Sequence, residues 1–287
     1  MEEGHIQIYK GQIYTKKPKK DKKIVAFDLD ETIGSFSHLH ILWKAIMRFG
    51  NASIKKEQES LFFNLMEMFP EFLRYNIINI LKYLCKKKEN KIIKLYLYTN
   101  NKCGSPWVEM IIKYLEKKVN HTNIFEKTIC AFKIRNKIIE INRTSNDKKV
   151  DDFINCTMIP KNSQICFIDN SYYQEMINDN VYYIQPRPYY HGLNISNIIY
   201  KFIHSDIGHY IINESTLKDS YSSFLIDWFE FNRAEKYIIT NERYNVDEEI
   251  EISRKIMYHI KEFILHRCRN KTAKKIQKYI YTRKNHN

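Results

Sequence analysis

The sequence predicts an α/β fold: a mainly parallel sheet, with a helical insertion after the first strand and a helical C-terminal extension. Three observations predict it. Short apolar runs at 24–28, 92–99, 164–169 and 181–184 are rich in β-branched and aromatic residues. Stretches of helical periodicity separate them, and strands alternating with helices indicate βαβ units. Three of the runs end on acidic or hydroxyl side chains, as strands do when their tips meet at one edge of a sheet.

The elements follow in order. Residues 1–23 read as a loose, basic lead-in. The first strand is Ile24 to Asp28, where the apolar run Ile24-Val25-Ala26-Phe27 gives way to carboxylates. From Leu39 to Glu67 the pattern is helical, with Leu42, Ile46 and Phe49, then Leu61, Phe62 and Leu65 on apolar faces, so residues 35–69 form an insertion. A second helical stripe follows Pro70 through Phe72, Ile77, Ile80, Leu81 and Leu84. It ends in Lys86-Lys87-Lys88, whose cations complement a helix C-terminus. Ile92 to Thr99 is the second strand, followed by Asn100-Asn101. Ser105-Pro106 then supplies an N-cap and a first-turn proline, and Trp107, Val108, Ile111, Ile112 and Leu115 form a stripe that packs on a sheet. Lys148 to Ile154 opens a short helix, Gln164 to Asp169 is the third strand, and Val181 to Ile184 the fourth. Residues 205–245 are tyrosine-rich and carry no assignable pattern. Asp247 to His266 reads as an amphipathic helix whose opening acids, Asp247-Glu248-Glu249, match the helix dipole. The organisation is thus a lead-in at 1–23, a core at 24–204 and an extension at 205–287.

The chain of 287 residues is long enough to bury a sizeable core, and 44% hydrophobic with 28% charged residues is ordinary for a globular protein. No run is long and apolar enough to span a membrane, and the N-terminus lacks the pattern of a signal peptide. Six scattered cysteines form no C-x-x-C pair, which argues for reduced thiols in an intracellular compartment, cytoplasm or nucleus. The net charge of +14 is concentrated at the ends. Residues 10–23 carry seven Lys and one Asp, and residues 263–287 carry eight Lys or Arg and no acid. Such tails favour polyanions, so a weak contact with nucleic acid through them is an expectation. The Lys-, Asn- and Tyr-rich composition also looks like that of proteins from large DNA viruses, which would place the chain in an infected host cell.

The chemistry is concentrated at three strand ends: Asp28 with Asp30, Thr99, and Asp169 with Asn170. A parallel sheet brings such ends to one edge, where they can converge on a single ligand. Each residue type then has a task. Asp28 can attack a phosphate monoester in line, and Asp30 can protonate the leaving oxygen and later activate water. Thr99 can donate to a phosphoryl oxygen. A lysine can neutralise the same oxygens; Lys148 and Lys149 both lie between the second and third strand ends, and the spacing to Asp152-Phe153 favours Lys148. Asp169 and Asn170 supply hard oxygens beside the Asp28 carboxylate and the Asp30 carbonyl, as Mg²⁺ requires.

Asp28-Leu29-Asp30-Glu31-Thr32, Tyr98-Thr99-Asn100-Asn101 with Trp107 after it, and Ile168-Asp169-Asn170-Ser171 resemble the motifs of the haloacid dehalogenase superfamily. Within it they look most like the RNA-polymerase C-terminal-domain phosphatases and NLI-interacting-factor-like proteins. The resemblance covers roughly residues 24–34 and 70–204. It implies a Rossmann-like core, Asp28 as nucleophile and Asp30 as acid/base. It also implies Thr99, Asn100 and Lys148 or Lys149 as phosphate binders, and Mg²⁺ held by Asp28, Asp30, Asp169 and Asn170. The insertion at 35–69 departs from the family, which usually carries something smaller there; it would act as a lid or a docking surface. The function expected is a Mg²⁺-dependent phosphatase that forms an aspartyl-phosphate on the way to cleaving phosphoserine or phosphothreonine in protein, the RNA polymerase C-terminal repeat among the candidates. The competing expectations are a phosphatase for nucleic-acid ends or small phosphomonoesters, and a catalytically silent adaptor that binds polyanions.

Overall fold

A computed structural model describes residues 2–3, 5–11, 23–49, 56–101, 106–212, 218–234 and 244–265. In chain order the strands and helices are β1 (Glu2–Glu3), β2 (Ile6–Lys10), β3 (Lys23–Phe27), α1 (Ser37–Phe49), α2 (Gln58–Met68), α3 (Ile77–Glu89), β4 (Ile93–Tyr98), α4 (Pro106–Val119) and β5 (Thr128–Ile129). A hairpin of β6 (Lys133–Ile134) and β7 (Lys137–Ile138) follows, then α5 (Val150–Thr157), β8 (Gln164–Ile168) and β9 (Val181–Pro186). The chain continues through α6 (Ile195–Ile203), α7 (Asp206–Ile212), α8 (Lys218–Ala234) and α9 (Val246–Leu265).

The main sheet has the order β1-β2-β9-β8-β3-β4-β5. The five strands from β9 to β5 run parallel, and β1 and β2 add an antiparallel edge. From β3 the chain builds β4 and β5 on one side, then returns to place β8 and β9 on the other. That reversal beside β3 is a topological switch point, where open α/β sheets take their ligands. Register aligns the tips: Phe27 pairs with both Leu97 and Ile168, so Asp28, Tyr98 and Asp169 stand level at the carboxyl edge.

Alternation along the strands divides the core into two layers. Val25, Phe27, Leu95, Leu97, Cys166, Ile168, Tyr182 and Ile184 face a thick helical layer. Ile24, Ala26, Tyr96, Tyr98, Ile165, Phe167 and Tyr183 face α5, with Val150, Phe153 and Ile154 packed on them. The insertion is part of the thick layer. Leu39, Leu42, Trp43 and Ile46 of α1, and Leu61, Phe62, Leu65 and Met66 of α2, are buried in the same cluster as the sheet. So are Leu225 and Phe229 of α8 and Ile252, Ile256, Ile260 and Phe263 of α9. Trp228 of α8 donates its indole N–H to the Ile41 carbonyl at 3.1 Å, tying extension to insertion.

Two readings of the sequence need correction. Residues 2–3 and 6–10 are strands rather than a loose lead-in, because Ile6 and Ile8 alternate inward against β9 and bury their side chains. The tyrosine-rich stretch after 205, where the sequence marks no individual element, contains α7 and α8, in keeping with a helical extension. Residues 12–22, most of the lead-in's positive charge, and the tail at 266–287 lie outside the described residues. Cys85, Cys156 and Cys166 are free thiols, whereas Cys130 is disulfide-bonded, which departs from the expectation of reduced cysteines throughout. Among the described residues no helix is long and apolar enough to cross a membrane.

Candidate active site

The loop after β3 is shaped by its own backbone. Asp28 donates its amide to the Ile168 carbonyl at 2.9 Å, continuing the β3–β8 ladder one residue past the strand. Ile33 N–H donates to Leu29 O at 2.9 Å and Glu31 N–H to Gly34 O at 2.7 Å, closing residues 29–34 into a tight turn. Glu31 adopts φ 55°, a left-handed conformation uncommon in residues with a Cβ. Gly34 sits where no side chain fits, since a Cβ there would run into the Phe72 carbonyl and the Phe36 ring.

Lys148 stands at the centre. Its Nζ is 2.5 Å from Asp28 Oδ1 and 2.5 Å from Asp169 Oδ2, and the lysine is fully buried. Burial works against its charge, but the Asp169 and Asp28 carboxylates more than offset this and hold the ammonium above its ordinary range. The Asp169 carboxyl is pushed up by its burial; Lys148 opposes that push and Asp28 adds to it. The rings of Tyr98, Phe167 and Tyr173 surround the ammonium. Lys149, next in sequence, turns outward to pair with Glu175 at 2.9 Å. Lys148 is therefore the lysine in the site.

The remaining candidates gather around this pair. Asp30 Oδ2 accepts from Asn101 Nδ2 at 2.9 Å. Thr99 is buried, and its Oγ1 accepts the Asn101 amide hydrogen at 3.0 Å, so the hydroxyl proton is the donor that remains. Asn100 is an exposed rim residue: its Oδ1 accepts from Arg143 at 2.8 Å and its Nδ2 donates to the Tyr173 hydroxyl at 3.2 Å. Asn170 is oriented by Thr32, which takes the Asn170 amide hydrogen at 3.0 Å and donates its own to Oδ1 at 2.8 Å. Asp169 Oδ1 accepts the Ser171 amide hydrogen at 2.8 Å.

Sequence reasoning missed three contributors. Asn101 and Thr32 sit inside motifs read for their neighbours. Arg143 gave no signal, yet it is buried behind the second strand end. Its Nη1 donates to the Thr99 and Cys130 carbonyls at 3.3 and 2.5 Å, and its Nη2 donates to Asn100 Oδ1 and the Asn146 carbonyl at 2.8 and 2.9 Å. One guanidinium thus fastens the Thr99 turn to the segment leading into Lys148, and places a positive charge under the site.

The residues that could hold a hard divalent cation are those with oxygen donors at this edge: the Asp28 carboxylate, the Asn170 carboxamide and the Asp30 carbonyl, with Asp169 alongside. Among the described residues no three carboxylate, imidazole or thiolate groups converge to hold a metal. Burial, then the Asp30 and Asp28 carboxylates, push the Glu31 carboxyl up to about 8.

No protein-family model matches the chain, and no curated protein matches it.

Proposed function

We propose that this chain is a Mg²⁺-dependent, aspartate-based phosphatase of the haloacid dehalogenase type, acting on phosphoserine or phosphothreonine in protein. One observation carries the reading. Asp28, Lys148 and Asp169 come from separate segments of the chain and meet within 2.5 Å contacts at the switch point, with Asp30 and Thr99 beside them.

The division of labour follows from the contacts. Asp28, with one oxygen held by Lys148, attacks phosphorus with the other and becomes the aspartyl-phosphate. Asp30, steadied by Asn101, gives its proton to the leaving oxygen and then takes one from the water that hydrolyses the acyl-phosphate. The Thr99 hydroxyl and the Lys148 ammonium meet the negative charge on the phosphoryl oxygens, and buried Arg143 adds to that field from behind. Asp28, Asn170 and the Asp30 carbonyl would hold Mg²⁺, which when bound would neutralise phosphate charge that the carboxylates repel.

The protein substrate is favoured over small phosphomonoesters by the insertion. Its helices are built into the core by Leu42, Trp43, Phe62 and Leu65, so what is described of it is fixed packing rather than a hinged lid. Basic segments at 12–22 and 266–287 would attract an acidic phosphopeptide, and equally a nucleic acid.

The test is hydrolysis of an aryl phosphate with and without Mg²⁺ by wild type and Asp28→Asn. Metal-dependent turnover that disappears in the variant supports the mechanism. A panel of phosphopeptides, end-phosphorylated oligonucleotides and sugar phosphates then reads the substrate class. No turnover of any of these with any divalent ion would leave the silent polyanion-binding adaptor.

A further inference from the structure

We propose that helix α9 holds the nucleophile turn in its reactive shape, with Glu249 acting through the buried Arg74 on the backbone carbonyl of Glu31. This rests on the phosphatase reading above, and both residues are positioning residues: neither touches the reacting atoms.

Glu31 lies between Asp30 and Thr32 in a conformation that its neighbours must maintain. Its carbonyl is held twice, by Arg74 Nη2 at 2.8 Å and by the Tyr189 amide at 2.8 Å. The same Nη2 donates to the Arg187 carbonyl at 2.7 Å, and the Arg74 amide donates to Ile33 O at 3.0 Å. Arg74 therefore clamps the turn from its backbone and its side chain at once.

Such a clamp needs a counter-charge, because Arg74 is 1% exposed and its guanidinium stays ionised. Among the described residues the carboxylate nearest to it comes from α9: Glu249 Oε2 is 3.6 Å from Arg74 Nη1. The pair is too long for a direct hydrogen bond, and Arg74 Nε, Arg74 Nη1 and Glu249 Oε2 have no hydrogen-bond partner. A pocket of about 30 Å³ lined by Arg187, Tyr244, Glu248 and Glu249 lies beside the carboxylate. The Tyr189 ring covers the guanidinium, 5.3 Å away.

The preceding residue of α9 repeats the pattern. Glu248 Oε2 pairs at 3.2 Å with Nη1 of Arg187, the residue whose carbonyl Arg74 also holds. Asn245 fixes this first turn by accepting the Asp247 and Glu248 amide hydrogens at 3.0 and 3.4 Å. Two of the acids that the sequence assigns to the helix dipole thus reach Arg74, which holds the nucleophile turn, and Arg187, whose carbonyl Arg74 also holds. A helix that begins more than 210 positions after the motif becomes part of its support.

The experiment compares full-length wild type with Glu249→Gln, Arg74→Lys and the control Ile256→Val, a buried change on the same helix. Aryl-phosphate kinetics, thermal midpoint and hydrogen exchange of the peptide spanning 28–36 are measured for each. Glu249→Gln and Arg74→Lys are expected to lower kcat about ten-fold with KM within about two-fold. They should also speed exchange across 28–36, whereas Ile256→Val lowers the thermal midpoint and does neither. Unchanged kcat and exchange in a folded Glu249→Gln protein would overturn the proposal, as would equal effects from Ile256→Val. If wild type turns over no phosphomonoester, the phosphatase reading fails, and the exchange comparison still decides whether α9 supports the turn.

Discussion

Lys148 Nζ lies 2.5 Å from Asp28 Oδ1, although the two residues are 120 positions apart in the chain. The contact exists because β3 and β8 are register-locked neighbours, and because α5 begins just after Lys148, which points that side chain along the tips of both strands. Without Lys148 two carboxylates, Asp28 and Asp169, would share a dry site with no cation among their described contacts.

Under the proposed mechanism, replacing Lys148 with Met should therefore lower kcat by about 100-fold or more, since it removes the charge assigned to the phosphoryl oxygens. Breaking a buried pair by deleting one partner costs about 3–5 kcal/mol in stability. The cost here should sit at the low end, because burial already favours the protonated form of Asp169. Urea unfolding and steady-state kinetics on one preparation check both parts. A variant with wild-type kcat would remove Lys148 from the mechanism. Lys149→Met is the internal comparison, with kcat unchanged because Lys149 is engaged with Glu175 outside the site.

Asn101→Ala should lower kcat about ten-fold with KM little changed, because the contact of the Asn101 side chain is with Asp30, the proposed acid. The hydrogen bond from Nδ2 sets where the proposed acid points. An Asn101→Asp variant should be worse than Ala, since it puts a second negative charge against Asp30. If Ala and Asp behave alike, the contact orients nothing.

The sheet and its active edge were legible because both are written in short-range patterns. The run Ile24 to Phe27 had only one way to be buried on both faces, and the carboxylates behind it had to lie at its tip. The spacing to Asp152-Phe153 favoured Lys148 without deciding against Lys149; one residue of offset at a helix start sends Lys148 inward and Lys149 outward. Arg143 was illegible for the opposite reason. Its partners are mostly backbone carbonyls from 99, 130 and 146, and no sequence pattern marks a residue by the carbonyls it will meet. The strand at Ile6–Lys10 was hidden by the lysines that follow it, which drew the whole segment into one basic lead-in.

Arg143→Lys tests that hidden contact. A lysine keeps the charge but cannot bridge four oxygens, so several buried carbonyls lose their donor. Stability should fall by about 2–3 kcal/mol. The kcat/KM should fall about 10- to 100-fold, because the Thr99 turn and the approach to Lys148 are no longer fastened together. An Arg143→Lys protein that loses stability but keeps kcat/KM would make Arg143 a fold residue only.

The acid sensitivity of the fold should trace to His191. Its Nε2 is 3.0 Å from His38 Nδ1 on α1, its Nδ1 accepts the Leu193 amide hydrogen at 3.3 Å, and the Phe72 ring meets it edge-on. With Nδ1 accepting, the neutral ring carries its proton on Nε2 and donates to His38. A second proton would point at the Leu193 N–H. Burial, then His38, lower the His191 pKa to about 3 from an ordinary 6.5. Below pH ~6.5 the unfolded chain takes up a proton that the folded ring refuses, so this stability is complete above that pH and is lost as pH falls toward ~3. Between about pH 7 and about pH 5 the wild type should lose about 2 kcal/mol more than His191→Asn, in which an amide oxygen can still accept from Leu193. Urea titrations at the two pH values measure the difference, and equal losses would clear His191. The site should feel the same change. His191 anchors the segment from which the Tyr189 amide holds the Glu31 carbonyl, so acid that loosens 187–193 should also lower kcat before global unfolding begins.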